Sequence, residues 1–228
     1  MSFELLELTA ERLRPLVDEV AFVGGASLFL WIDDPGAPEP RATTDVDVIV
    51  TVDGYGDYVG LSERLRERGF QEDALSSVIC RWRHGSLVLD VMPTDAGILG
   101  FSNRWYPDAA GAASEVTLPS GARIRAVPPA FLLATKLEAF RARGRNDYLA
   151  SADFEDIVRL IDGRERLGKE VAAAPEEIRE FVATELERML IDPQFEPGVA
   201  GALLPDRASQ ARLPLVLERL RVLLSSAR

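Results

Sequence analysis

The segment Asp45-Val46-Asp47-Val48-Ile49-Val50 constrains the fold more than any other stretch of the chain. Valine and isoleucine dominate it, and such side chains suit a pleated, half-buried strand. Side chains alternate along a strand, so Asp45 and Asp47 share one face, roughly 6.5–7 Å apart, and Val46, Val48 and Val50 supply the other to a core. A second apolar run, Leu87-Val88-Leu89-Asp90-Val91-Met92, carries one more acid. Carboxylates on half-buried strands repel one another and are costly to desolvate. A divalent cation removes that cost, and Mg²⁺ commonly takes one or two carboxylates together with substrate phosphates. If the two strands are neighbours, Asp45, Asp47 and Asp90 converge, enough acid for two metal ions.

Around these strands the first half alternates helix and strand patterns. Residues 10–20 read as a helix with Thr9 as N-cap and Glu11 in the first turn, although Pro15 is awkward inside it. Ala21-Phe22-Val23 enters Gly24-Gly25, and Ala26 to Ile32 reads as the next helix, stopped by Asp33-Asp34-Pro35-Gly36. Backbone N–H groups at such a helix start face an anion, and Ser27 adds a hydroxyl there. The glycines match neither GxGxxG nor GxxxxGK[ST], so the dinucleotide-binding and P-loop readings fail. Further patterns give a helix over 55–68, paired strands at 77–82 and 87–92 around His84-Gly85, and short strands near 115–118 and 122–127. After Pro128-Pro129 the strand signals fade and helices follow at 130–142, 152–162, 175–190 and 213–225. In the last of these, Leu213, Leu217, Leu220 and Leu224 recur at helical spacing, the mark of a core face. The reading is an α/β module over 1–127 and a helical module over 128–228, with an active-site cleft expected between them.

Composition narrows the chemistry. Cys80 and His84 are the sole cysteine and histidine, which rules out an intrachain disulfide, a Cys/His zinc cluster and any Ser–His–Asp set that does not use His84. Acid–base and metal work therefore falls to carboxylates and lysine, and both lone residues read as packing or surface groups. The net charge of −11 argues against broad electrostatic binding of nucleic acid. Residues 1–127 carry −9 and residues 128–228 only −2, with a basic cluster at Lys136, Arg141, Arg143 and Arg145. No apolar run is long enough for a membrane span and the first residues lack a basic signal region, so a cytoplasmic protein is expected.

Taken together, Gly24-Gly25 after a hydrophobic strand, Asp45-x-Asp47 and the later Asp90 resemble the nucleotidyltransferase superfamily with the polymerase-β-like fold. Within it, Arg41-x-Thr43-x-Asp45-Val46-Asp47, the Pro129-to-Lys136 helix and Asp153-Phe154-Glu155-Asp156 are most similar to the AbiEii-type toxin nucleotidyltransferases of type IV toxin–antitoxin systems. The resemblance covers residues 20–162. It implies a mixed-sheet α/β core, Mg²⁺ held by Asp45, Asp47 and Asp90, and a nucleoside triphosphate near Gly24, Gly25, Ser27, Arg41, Thr43 and Lys136. It further implies that Lys136 contacts the triphosphate, that Asp153 orients the lysine or the nucleotide, and that tRNA or another RNA and an antitoxin protein are partners. Structural roles compete with two of these: Lys136 snorkelling beside a buried helix, and Asp153 serving the first turn after a Ser151 cap. A small-molecule acceptor of the aminoglycoside kind and a catalytically silent nucleotide- or partner-binding module remain the alternatives.

Overall fold

The computed structural model describes residues 2–144 and 147–228; Arg145 of the basic cluster lies outside them. The chain divides into two compact units, Met1–Phe29 with Ala42–Pro128, and Leu30–Arg41 with Pro129–Arg228. The short segment 30–41, expected within the 1–127 module, thus goes with the helical unit.

In the first unit the strands among the described residues are β1 (Val20–Val23), β2 (Asp45–Val50), β3 (Gln71–Glu72), β4 (Arg81–His84), β5 (Leu87–Pro93), β6 (Ser114–Thr117) and β7 (Arg123–Ala126). They form one mixed sheet in the order β3-β4-β5-β2-β1-β7-β6. At its centre β2 runs parallel to β5 and antiparallel to β1, and β4 is antiparallel to β5. Alternation places Val46, Val48, Leu89, Val91 and Trp82 on one face, all buried. The helices of this unit are α1 (Ser2–Leu13), α2 (Gly24–Ser27), α3 (Tyr55–Glu67), α4 (Ala96–Leu99) and α5 (Tyr106–Ala112).

Two expected helices differ. The first spans Ser2–Leu13 rather than 10–20, because Pro15 cannot continue the ladder and a separate 3₁₀ turn, Leu16–Glu19, follows it. Leu6, Ala10 and Leu13 are its buried face. Thr9 therefore lies mid-helix and is no N-cap; its buried hydroxyl donates to the Leu5 carbonyl at 2.7 Å. Glu11 falls in the last turns instead of the first. The helix expected over 26–32 is the four-residue α2 followed by a 3₁₀ turn, Leu28–Leu30. So short a helix has little macrodipole to offer an anion.

The second unit contains α6 (Pro129–Arg143), α7 (Ala152–Gly163), α8 (Leu167–Ala172), α9 (Glu176–Leu190), α10 (Phe195–Ala202), α11 (Arg207–Gln210) and α12 (Leu213–Ala227). Pro129 stands at the start of α6, where its missing N–H costs nothing. Ser151 caps α7 as expected, accepting from the Phe154 N–H. Phe140, Tyr148, Phe154 and Phe195 pack with ring centroids 4.9–5.9 Å apart and fix α6, α7 and α10 to one another. Segment 30–41 is tied down by backbone bonds from Asp33 and Asp34 to the Gly163 carbonyl, 2.9 and 3.1 Å, and by Arg212 and Arg219, which both donate to Asp34. Among the described residues no helix is long and apolar enough to cross a membrane.

Candidate functional site

The sheet builds the first candidate site as a row across four strands. Arg81 of β4 lies opposite Asp90 of β5, Asp90 lies beside Asp47 of β2, and Asp47 lies opposite Val23 at the end of β1. Register partners project to the same face, so Arg81, Asp90 and Asp47 share it, and Asp45, two residues before Asp47, shares it too. Gly24 follows Val23 with a φ of +75°, and a β-carbon there would overlap the Asp47 carboxylate. Glycine is therefore required twice at this position, for its conformation and for close approach. The neighbouring Ser27 hydroxyl is buried and donates to the Gly24 carbonyl at 2.8 Å, so it braces the turn from within instead of facing outward. Gly25 is buried beside it, and Thr43 stands half-buried in the extended lead into β2.

Arg81 is the side chain that sequence reasoning missed. Its Nε donates to Asp90 Oδ1 at 2.8 Å, and one Nη donates both to Asp90 Oδ2 at 2.8 Å and to Asp45 Oδ2 at 2.7 Å. The Asp90 hydrogen bonds, outweighing burial, raise the Arg81 pKa, with the charges of Asp90, Asp45 and Asp47 adding to them. Cys80, next in the chain, has its thiol pushed up to about 12 by burial and then by the charges of Asp90 and Asp47. It stays protonated at neutral pH and offers no thiolate to a soft metal.

Among the described residues no three His, Cys, Asp or Glu side chains converge as a ready metal site. At this row Arg81 already binds Asp45 and Asp90, and the donors gathered there are carboxylate oxygens, the class that a hard divalent ion takes.

A second cluster lies within the helical unit. Lys136 is buried in α6, and its Nζ reaches Asp156 Oδ2 at 2.6 Å and Asp153 Oδ1 at 3.2 Å. It does not snorkel. Asp156 is wholly buried and also accepts from Arg41 Nε at 3.0 Å. Asp153 accepts from Arg143 through Nε at 2.8 Å and Nη2 at 3.1 Å. Burial would raise the Asp153 pKa, but the Arg143 hydrogen bonds and the Lys136 charge outweigh it and hold the carboxyl below its ordinary range. Three cations thus meet two carboxylates. Asp156, three residues after Asp153 in α7, is the more buried of the two and joins Arg41 to Lys136. Of the other basic residues expected to meet RNA, Arg141 pairs with Glu138 and Glu185 and lies over the Phe181 ring.

No protein-family model and no curated protein matches this sequence.

Proposed function

We propose that the chain is a Mg²⁺-dependent nucleotidyltransferase that moves a nucleoside monophosphate from a nucleoside triphosphate to an acceptor hydroxyl, releasing pyrophosphate. The observation that carries this reading is the row in which Asp47 and Asp90 stand side by side on parallel strands with Gly24 pressed against Asp47. A hydrophobic strand followed by Gly-Gly, Asp-x-Asp on one strand and a third acid on a later strand are what the polymerase-β-like resemblance implies. Asp45, Asp47 and Asp90 would hold the metal, which when bound neutralises phosphate oxygens and lowers the pKa of the attacking hydroxyl.

The protein's own groups supply the rest. By the resemblance Lys136 would contact the triphosphate, and within the helical unit Asp156 holds Lys136 and Arg41 in place. Asp153 orients Lys136 and Arg143 together. RNA is the acceptor class assigned by the resemblance and the basic segment 136–145, and an antitoxin partner comes with the same resemblance. A small-molecule acceptor is the second reading, favoured by the acid partners that Arg141 and Arg143 already have.

The test is incubation of the purified full chain with each labelled nucleoside triphosphate, Mg²⁺ and total RNA. Label should pass to an acceptor from a preferred nucleotide, and the transfer should vanish with EDTA and in Asp47→Asn. Failure of every nucleotide to label RNA, protein or an aminoglycoside would leave a silent binding module.

A further inference from the structure

Arg159 of α7 is only 2% exposed, and its Nε and Nη1 are buried without a hydrogen-bond partner among the described residues. Its ion pair with Glu155 is 3.6 Å long, too long for a hydrogen bond. The arginines nearby are treated differently. Arg164 reaches Asp33 at 2.7 Å and Glu170 at 2.5 Å, and Arg212 reaches Asp34 and Asp162 at 2.8 Å each. Arg219 reaches Asp34 at 2.9 Å. A covered guanidinium left bare is costly, because the hydration it gave up has not been replaced. Segment 30–41 lies along the same stretch of α7. Arg41 bonds Asp156, and Ile32 sits so close to Gly163 that a β-carbon there would overlap it. Asp156 stands three residues before Arg159 and Gly163 four after it, its neighbours on the helix surface, so Arg159 lies along the seam between α7 and the segment. Trp31, next to Ile32, brings a second buried donor, since its indole N–H has no hydrogen-bond partner among the described residues either. The Glu155 side chain is 34% exposed, so on that side the guanidinium lies one side chain beneath the surface.

We propose that this seam is a binding site for a small oxyanion, a phosphate or carboxylate group, with the Arg159 guanidinium as its principal donor and the Trp31 indole N–H as a second. A guanidinium presents its donors in a plane that matches two oxygens of such a group, and charge-assisted bonds of this kind are the strong class. The incoming group displaces Glu155 and supplies the acceptors that Arg159 lacks. The site belongs wholly to the helical unit and uses none of the acids of the sheet, so it stands whether or not the chain transfers nucleotides.

The experiment is calorimetric titration of inorganic phosphate, and separately of acetate, into the full chain, with thermal melting in the same solutions and chloride at matched ionic strength as the control. Wild type should bind one or both saturably and melt higher with it. A response to phosphate assigns the site to phosphoryl groups and a response to acetate assigns it to carboxylates. Arg159→Met keeps the aliphatic stem and removes the charge, and it should bind the same anion at least about tenfold more weakly. Without the anion it should melt no lower than wild type, because it removes a buried charge that the chain does not pair. Trp31→Phe removes the N–H and should weaken binding about threefold; unchanged affinity there overturns the part given to Trp31. Affinity unchanged in a folded Arg159→Met overturns the inference, and so does a wild type that binds neither anion. An Arg159→Met chain that fails to fold, or melts well below wild type, shows a structural charge and overturns it as well.

Discussion

The acid row of the sheet and the charge cluster of the helical unit both bury ionised groups, and they balance them oppositely. In the sheet, Asp45, Asp47 and Asp90 gather on one face with Arg81 bound to two of them. In the helices, Arg41, Lys136 and Arg143 gather round Asp153 and Asp156. Arg143 is mostly exposed, while the carboxylates that it and Lys136 meet are buried.

The largest effects should come from breaking the negative side. Asp45→Asn or Asp47→Asn is expected to lower transfer on the order of 10³-fold or more, the several kcal/mol that a catalytic metal contributes. Thermal melting separates the acids. Asp45→Asn should change stability by less than about 1 kcal/mol, since its pair with Arg81 is partly exposed. Asp90→Asn should cost roughly 1–3 kcal/mol, because it leaves a covered guanidinium short of its acceptor. Equal losses for the two would contradict the assigned geometry.

Breaking the positive side should cost less in rate and more in stability. Lys136→Ala is expected to lower kcat about 10²-fold, as the loss of one charge-stabilising donor does. It should also destabilise the chain by roughly 3 kcal/mol, since the wholly buried Asp156 loses its shortest ion pair. Activity within about twofold of wild type would return Lys136 to a packing role. Next comes the tie that holds segment 30–41. Burial opposes ionisation of Asp34, but the bonds from Arg212, Gly36 and Arg219 prevail and lower its pKa to about 2. A depressed carboxylate contributes stability that is whole above its ordinary value near 3.8 and is lost as pH falls toward 2. Wild type should therefore lose a contribution of about 1 kcal/mol across that window, solvent screening reducing the full linkage value, and Asp34→Asn should lack it in urea melts repeated from pH 5 to pH 2. The smallest expected change concerns the acceptor. Replacing Arg141, Arg143 and Arg145 by Gln should flatten the salt dependence of RNA use by up to about one unit of slope per contact. An unchanged slope with unchanged transfer would remove RNA in favour of a small acceptor.

How much of this was legible differs between the two regions for physical reasons. The strand with Asp45 and Asp47 announced itself because alternation fixes which face each side chain takes, and that rule holds locally. Arg81 stayed hidden because its role depends on register. With the turn read at His84-Gly85, residue 81 falls opposite 88; the observed pairing of His84 with Leu87 shifts it to Asp90. Gly85, at a φ of +61°, was the one local signal that could have placed the turn. In the helical unit Asp153 and Asp156 are visible as an Asp-x-x-Asp motif, but the bond from Arg41 to Asp156 spans 115 positions and has no trace in periodicity. Segment 30–41 falls within the expected 1–127 module because its turn residues are visible in sequence, while Arg212 and Arg219, which fasten it to the helical unit, act over more than 170 positions.

The central claim is that the acid row takes the metal of a metal–nucleotide complex, and calorimetric titration of Mg²⁺–nucleoside triphosphate into wild type and the Asp45→Asn, Asp47→Asn double variant tests it most directly. The account predicts saturable binding to wild type and at least a tenfold weaker affinity in a double variant whose circular dichroism is unchanged, a difference of about 1.4 kcal/mol or more. Equal affinity in the two proteins would contradict it.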